Sequence, residues 1–399
     1  MKNKGYLISA GILLVLAFLW AGLAGRAFLK MFREESLRPS SGLTSKKMLS
    51  DYASVLTNTP GDTPVFVYEG SKKGGRALIL GGTHPNEPAG HITAVLMLEH
   101  IKVQNGTVFI IPRANNSGFT HSDPQEGNPQ EFFLKTSTAA RRFRFGSRLT
   151  NPVHQWPDPS LYINPSGQKL SGAESRNLNR CYPGREHGTL TEKIAFAIVR
   201  LIQEEKIDLA VDLHEAALEY PVINAIVFHE KSAELAAIVQ MELQAEGFEF
   251  RLEVSPPNLR GLSHREWGDF TPAFPLLLET ANVSQGRLKG KTSQELILTG
   301  KDKFYLRAFE LGRLFVPYDS RGIPLKNRAA SHLAAVSTFL ANMAFFAPEK
   351  KIHVTGLPRP EDLIKNGLET YLVPGSFSDR DQVRKIHIIL HGQMPLFSR

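Results

Sequence analysis

From Tyr6 to Ala24 the chain runs 19 residues without a charge, long enough for a helix to cross a bilayer. Basic residues stand on both sides of it, Lys2 and Lys4 before and Arg26 and Lys30 after, so the charge bias sets an orientation only weakly. Gly22-Leu23-Ala24 also fits a signal cleavage site. Residues 1–25 therefore read as a membrane anchor or a signal, with the body exported in either case. Residues 26–60 are polar and carry several Ser, Thr and Pro, the pattern of a tether with a short helix.

Beyond residue 60 the pattern becomes that of a folded domain. Val65–Tyr68 predicts a strand, and Ala77–Leu80 and Thr107–Ile111 are short continuous apolar runs, as in strands buried on both faces. Between them Pro88 opens a helical pattern to about Ile101, with Ala89, Ile92, Val95, Leu96 and Leu98 apolar. Residues 113–188 show no period; a stretch this long inside a domain is functional or disordered, and its Trp156, Tyr162 and Phe residues favour an ordered loop region. Thr189 and Glu192 form a capping-box pattern for a helix to Glu205. Strands follow at Leu209–Leu213, Ala225–Phe228 and Ala273–Leu278, and helices at Ser232–Gln244, near 293–313 and near 329–346. Alternating strands and helices predict an α/β fold, a three-layer α/β/α sandwich around a central sheet. One catalytic domain over 61–348 accounts for this, with a small C-terminal β-like extension over 349–399 that includes the run Ile386–Leu390.

Charge changes this picture at one end only. Residues 1–50 hold eight Lys or Arg and two acids, a net +6 of the whole chain's +8. The body is nearly neutral, which argues against nucleic acid as a partner, and the excess flanks the apolar segment, as expected beside a membrane. The single cysteine, Cys181, excludes an internal disulfide and a cysteine-rich zinc site. Packed as a small apolar residue, it needs no nucleophilic role. Any metal must be held by histidine and carboxylate.

Four segments supply such chemistry. Gly81-Gly82-Thr83-His84-Pro85-Asn86-Glu87 lies between a buried strand and a helix, where ligands collect in open α/β sheets. Its His-x-x-Glu spacing brings an imidazole and a carboxylate within reach of one ion; a capping Glu87 beside an incidental His84 is the plainer reading of this motif alone. Val211-Asp212-Leu213-His214-Glu215 places His214 at the end of a second apolar strand, hence at the same rim, and Asp212 on the same strand face. Two histidines and a glutamate make three protein ligands, the number a catalytic zinc commonly has, with one position left for water. Arg176-Asn177-Leu178-Asn179-Arg180 joins amides to guanidinium forks suited to a carboxylate. Phe274–Thr280 ends an apolar strand on Glu279, placed to have a raised pKa and to take a proton from an activated water.

With these motifs the sequence resembles the succinylglutamate desuccinylase/aspartoacylase family, whose fold is that of zinc carboxypeptidases, over roughly residues 60–345. The resemblance implies a mixed central sheet and one Zn2+ ion held by His84, Glu87 and His214. It further implies a substrate carboxylate bound by Asn179 and Arg180, and Glu279 as catalytic base with Glu215 as fallback. Asn177 departs from the family's usual Asp, and Pro85 stands where the family often has Gly. Arg176 is the candidate for stabilising the developing oxyanion. The implied activity is a zinc-dependent deacylase cleaving the amide of an N-acyl amino acid. A membrane-tethered carboxypeptidase acting on cell-wall or other peptides uses the same residues, and a catalytically silent binding module of the same fold is the reading from another class. The insert Arg141–Trp156, with Arg141, Arg142, Arg144 and Arg148 among Phe143 and Phe145, reads as a solvated loop with aromatic anchors, or as a cover over the site.

Overall fold

A computed structural model of the protein describes residues 2–123 and 127–374. The N-terminal helix α1 (Lys2–Met31) is one of two helices long and apolar enough to cross a membrane among the described residues. Leu13, Phe18 and Trp20 along it are exposed. The other such helix, Leu325–Phe346, belongs to the core of the body, where Leu333, Phe339 and Leu340 are fully buried.

The body is built on strands β1 (Ser45–Met48), β2 (Pro64–Glu69), β3 (Lys72–Leu80) and β4 (Lys102–Ile111), two small hairpins, β5 (Glu131–Lys135) with β6 (Ala140–Arg144) and β7 (Leu161–Ile163) with β8 (Lys169–Ser171), and then β9 (Leu209–Ala216), β10 (Ala225–Phe228), β11 (Arg251–Val254), β12 (Phe274–Ala281) and β13 (His353–Thr355). Its helices are α2 (Pro88–His100), α3 (Leu190–Glu204), α4 (Ala233–Ala245), α5 (Ser263–Phe270), α6 (Gln294–Thr299), α7 (Lys303–Glu310), α8 (Leu325–Phe346) and α9 (Pro360–Asn366). The main sheet runs β1-β2-β4-β3-β9-β12-β10-β11, with β13 added antiparallel to the start of β4. Its centre, β4-β3-β9-β12, is parallel; the flanking pairs β2–β4 and β10–β12 are antiparallel. The sheet is mixed, in an α/β fold.

Strand alternation divides the core in two. Ala77, Ile79, Val211 and Leu278 face one side and pack with α2, α4 and α8. Leu78, Leu80, Phe109 and Ala210 face the other and pack with α3 and with Trp267 of α5. Both faces of the parallel strands are thus dry, which explains their continuous apolar runs. Thr189 caps α3 through Glu192 N–H, and Glu192 returns a bond to Thr189 N–H, as the capping-box pattern predicts.

Several segments differ from the sequence pattern. The predicted tether contains the edge strand β1 and two short turns whose Leu49, Tyr52, Ala53 and Leu56 are buried. The edge strand Ser45-Lys46-Lys47-Met48 carries polar side chains because one face of an edge is wet, so periodicity does not reveal it. The helical pattern near 293–313 breaks into α6 and α7. Gly300, at φ 61°, ends the first, and the Asp302 carboxylate accepts from the N–H groups of Phe304 and Tyr305 to start the second. β9 and β12 run three residues beyond Leu213 and Leu278, so His214 and Glu279 lie within paired strands rather than at their ends. The residues after 348 add β13 and α9, with Leu363, Leu368 and Leu372 in the main core. Ile386–Leu390 lies outside the described residues.

Candidate metal and catalytic site

The parallel strands β3, β9 and β12 carry the site because their register is fixed. Leu80 pairs with Asp212, and Glu279 pairs directly with His214. After Leu80 the chain turns through Gly81–Glu87 into α2, whose first helical residue is Pro88. Gly90 lets that first turn press onto β9: a Cβ there would lie 2.4 Å from the Leu213 carbonyl oxygen. The close approach carries Glu87 across to His214. Glu87 makes no capping bond to α2, so the plainer reading of the His-x-x-Glu motif does not describe its side chain.

Instead, Glu87 lies between the two histidines. Its Oε1 is 2.7 Å from His84 Nδ1 and its Oε2 is 2.9 Å from His214 Nδ1. The imidazoles meet edge to face, with centroids 4.7 Å apart. All three side chains are buried, and one ligand atom from each lies within 4.8 Å of the others. The outward nitrogens also face acceptors. His84 Nε2 is 2.9 Å from Asn177 Oδ1 in a hydrogen bond, and His214 Nε2 is 2.9 Å from Asp212 Oδ2 as a charge pair whose geometry is not that of a hydrogen bond. Thr83 Oγ1 donates to the other Asp212 oxygen at 2.8 Å. Both rings turn Nδ1 toward Glu87 and Nε2 outward, and for His84 the outer acceptor is of the kind that fixes the tautomer of a metal-binding histidine.

The charge balance fits a cation at the centre. Burial and then Arg148 push His84 down to about 4, so it is neutral and has a lone pair to give. Burial opposes ionisation of Glu87, yet the neighbouring His84 and His214 hold it well below the usual carboxylate range. Burial also opposes charge on His214, but Asp212 and Glu87 outweigh it and raise His214 well above its ordinary value. Asp212 and Glu87 thus favour positive charge at this place. The residues present, two imidazoles and a carboxylate, suit a borderline metal such as zinc.

Glu279 stands next to His214 on β12, and its Oε2 has no hydrogen-bond partner. Burial is the main cause that pushes its carboxyl up to about 8; His214 and Arg148 oppose the rise, and Glu87 and Asp212 add to it. Glu215, the fallback base, is occupied. Arg328 of α8 donates to its Oε1 at 2.5 Å, and the Ala89 N–H donates to its Oε2 at 2.7 Å. It ties the start of α2 to β9 and α8.

The arginines sort differently from their sequence order. Arg176 donates through Nε and Nη2 to Asp158 at 2.7 and 2.9 Å and through Nη1 to the Thr150 carbonyl at 2.9 Å. Those bonds join its loop to the 150–158 segment. Arg148 instead reaches Glu87, with Nη1 3.2 Å from Oε1, and it acts through space on both Glu279 and Arg180. Arg180 keeps its guanidinium part-exposed, bonded to the Asn179 carbonyl through Nη1 at 2.6 Å. Asn179 Oδ1 accepts from Ser263 N–H at 2.8 Å, which fixes the amide. Within the insert, Arg141 pairs with Glu99 and Arg142 with Glu131, while Arg144 is buried over the Phe119 ring. The segment is therefore packed rather than solvated, and Arg148 is its contribution to the site. Cys181 is buried, its thiol pushed up by burial, and it donates to the Ser175 carbonyl.

Two groups at this site, the buried His264 and the half-buried Glu174, have no motif in the sequence. His264, on the first turn of α5, has no partner for either ring nitrogen; burial pushes it down to about 3, with Asp212 and His214 acting on it through space. Glu174 touches Asn177 from the far side, accepting its Nδ2–H at 2.7 Å.

No family model matches the chain, and no curated protein matches it. Among solved structures, it is similar to a succinylglutamate desuccinylase/aspartoacylase from Rhodobacter sphaeroides, at 17% identity over 55% of this chain and 51% of that one, TM-score 0.34. It is similar to a metallo-carboxypeptidase from Burkholderia cenocepacia, at 13% identity over 80% and 68%, TM-score 0.43. The tripeptide-bound cell shape determinant Csd4 from Helicobacter pylori is similar at 13% identity over 76% and 59%, TM-score 0.43. The match thus spans about half of the first of these structures, 51% of its length.

Proposed function

We propose that the chain is a zinc-dependent hydrolase that cleaves an amide bond in a substrate bearing a free carboxylate, an N-acyl amino acid or a peptide C-terminus, and that α1 tethers it to a membrane. The observation that carries this reading is the register of β9 and β12, which sets a half-buried glutamate, its Oε2 buried without a partner, beside a His84–Glu87–His214 cluster whose ligand atoms lie within 4.8 Å. These three residues would hold the ion. When bound, zinc supplies Lewis-acid chemistry, lowering the pKa of a water to about 7 and polarising the scissile carbonyl.

The chain's own residues do the rest. Glu279 accepts the water's proton and passes it to the leaving nitrogen. Its carboxyl ionises more readily once positive charge stands between Glu87 and His214, since burial is what holds it up near 8. Arg148, rather than the fully engaged Arg176, stabilises the charge developing on the carbonyl oxygen. Arg180, positioned with Asn179 by the Ser263 N–H, holds the substrate carboxylate. Asp212, a charge pair with His214 Nε2, would favour the ring orientation that leaves Nδ1 on the Glu87 side to hold the ion.

The test is turnover by the purified, zinc-loaded full chain on N-acyl amino acids and on peptides with free C-termini. Glu279→Gln should keep the metal and lose activity by about 10²–10⁴-fold. Unchanged turnover removes Glu279 from the base role, and bound metal with no hydrolysis of either set leaves a binding module.

A further inference from the structure

The two histidines of the cluster rest on different acceptors. His214 Nε2 lies 2.9 Å from the Asp212 carboxylate as a charge pair, whereas His84 Nε2 is hydrogen-bonded to the neutral amide of Asn177 at 2.9 Å. The orientation of that amide is settled by its other contacts. Its Oδ1 also accepts from Asn179 N–H at 3.1 Å, and its Nδ2 donates to Glu174 Oε2 at 2.7 Å. A flipped amide would set its NH2 against the Asn179 N–H and its oxygen against the Glu174 carboxylate, losing both bonds. Oδ1 must therefore be the atom facing His84, so Nε2 carries a proton toward it, and Nδ1 is the ring atom left on the Glu87 side to serve as a ligand when an ion is bound. The negative charge that would ordinarily sit directly behind such a ring is one residue further out.

We propose that Glu174 is a positioning residue for the metal: through Asn177 it polarises and orients His84, so that a Glu174–Asn177–His84 relay does for one ligand what Asp212 does directly for the other. The proposal rests on the metal-site reading. The supporting geometry is local. Glu174 lies within the short turn Gly172–Arg176 and Asn177 follows directly at its end, and the Asn177 N–H also bonds the Glu174 carbonyl at 3.1 Å. The carboxylate, the amide and the ring are thus linked by two consecutive hydrogen bonds, and an anion at the outer end strengthens both. Outer partners of metal-binding histidines change affinity by about 10–100-fold when they are removed directly; one link further out, the lower end of that range applies.

The relay predicts a charge-swap signature that a merely structural contact would not give. Glu174→Gln removes the charge and should weaken zinc binding by about tenfold. Asn177→Asp alone sets two carboxylates 2.7 Å apart and should also weaken it. The double variant Glu174→Gln/Asn177→Asp moves the charge one position inward and should bind zinc at least as tightly as the unaltered chain, a strong non-additivity. Zinc affinity would be read by chelator competition on the full chain, with thermal melting of the metal-free proteins as the control for folding. Additive losses, or no loss in Glu174→Gln with equal melting temperatures, would overturn the relay. His84→Ala separates the two layers. If it leaves zinc affinity unchanged, the metal site itself is misplaced; if it abolishes binding while the charge swap is without effect, only the relay falls.

Discussion

The Arg328–Glu215 pair offers the sharpest energetic prediction. Both side chains are at most 1% exposed, and Arg328 donates to Glu215 Oε1 at 2.5 Å and to the Ile297 carbonyl at 2.6 Å. Arg328→Met leaves a similar volume and removes both bonds. Glu215 keeps the Ala89 N–H at 2.7 Å and a long contact to Asn282 Nδ2 at 3.5 Å. Stranding a buried charge costs about 3–5 kcal/mol, but Glu215 has an escape. Burial already raises its carboxyl to about 7 with Arg328 in place, and without that guanidinium it rises further and takes up a proton. The expected loss at pH 7 is therefore near the lower end, about 3 kcal/mol, of which roughly 1 comes from the Ile297 carbonyl. The sign with pH is fixed. In the variant the folded-state pKa lies above the value of about 7 that Glu215 has with Arg328 present, so the penalty relative to the unaltered chain is constant below that pH and grows as pH rises through and beyond it. Urea midpoints of the metal-free variant and unaltered chain from pH 5 to 9 measure this. Arg328→Met/Glu215→Gln, which removes the charge and keeps an acceptor for Ala89, should recover at least half of the loss at pH 8. A deficit under about 1 kcal/mol with no pH dependence, or a double variant no better than the single, would refute the reasoning.

Other outcomes follow from the same contacts. Arg148→Ala should lower kcat by about 10²–10³-fold with little change in zinc content, and Arg176→Ala should act mainly on stability; steady-state kinetics with metal analysis separates them, and a kcat loss confined to Arg176→Ala would reverse the assignment. Arg180→Ala should raise KM for substrates with a free carboxylate while leaving their amidated analogues unaffected, read by comparing the two substrate series. Glu205 accepts from Lys47 at 2.5 Å and Tyr52 at 2.8 Å and pairs with Arg76; burial opposes its ionisation, but these partners hold its carboxyl below the ordinary value. Its contribution, about 1 kcal/mol, should be present above pH 4.3 or so and vanish as pH falls below it, seen as a Glu205→Gln stability gap at pH 7 that closes near pH 3.

The residues legible in the sequence were those whose position follows from one strand. His84 follows a buried run and a glycine pair, and His214 and Glu279 follow the apolar residues of β9 and β12, so the pattern along each strand puts them at one rim. Glu87 was legible by spacing, but its reach to His214 depends on how closely α2 packs against β9 at Gly90. Arg148 was not legible, because a loop without periodicity brings it to Glu87 across 61 residues. Arg176 attracted attention through its neighbour Asn177, yet the short turn Gly172–Arg176 aims it at Asp158. His264 and Arg328 sit in amphipathic or apolar helices where one polar residue looks like any other until the helix is packed. The edge strand β1 escaped for the opposite reason, since its side chains are mostly wet.

The account stands or falls on a divalent cation between His84, Glu87 and His214. Metal content of the purified full chain, measured by elemental analysis after dialysis against zinc and then against metal-free buffer, tests this directly. One zinc per chain, lost in His84→Ala and in His214→Ala and retained in Glu279→Gln, is the predicted result. Stoichiometric zinc that survives both histidine substitutions, or none in the unaltered chain, would contradict it.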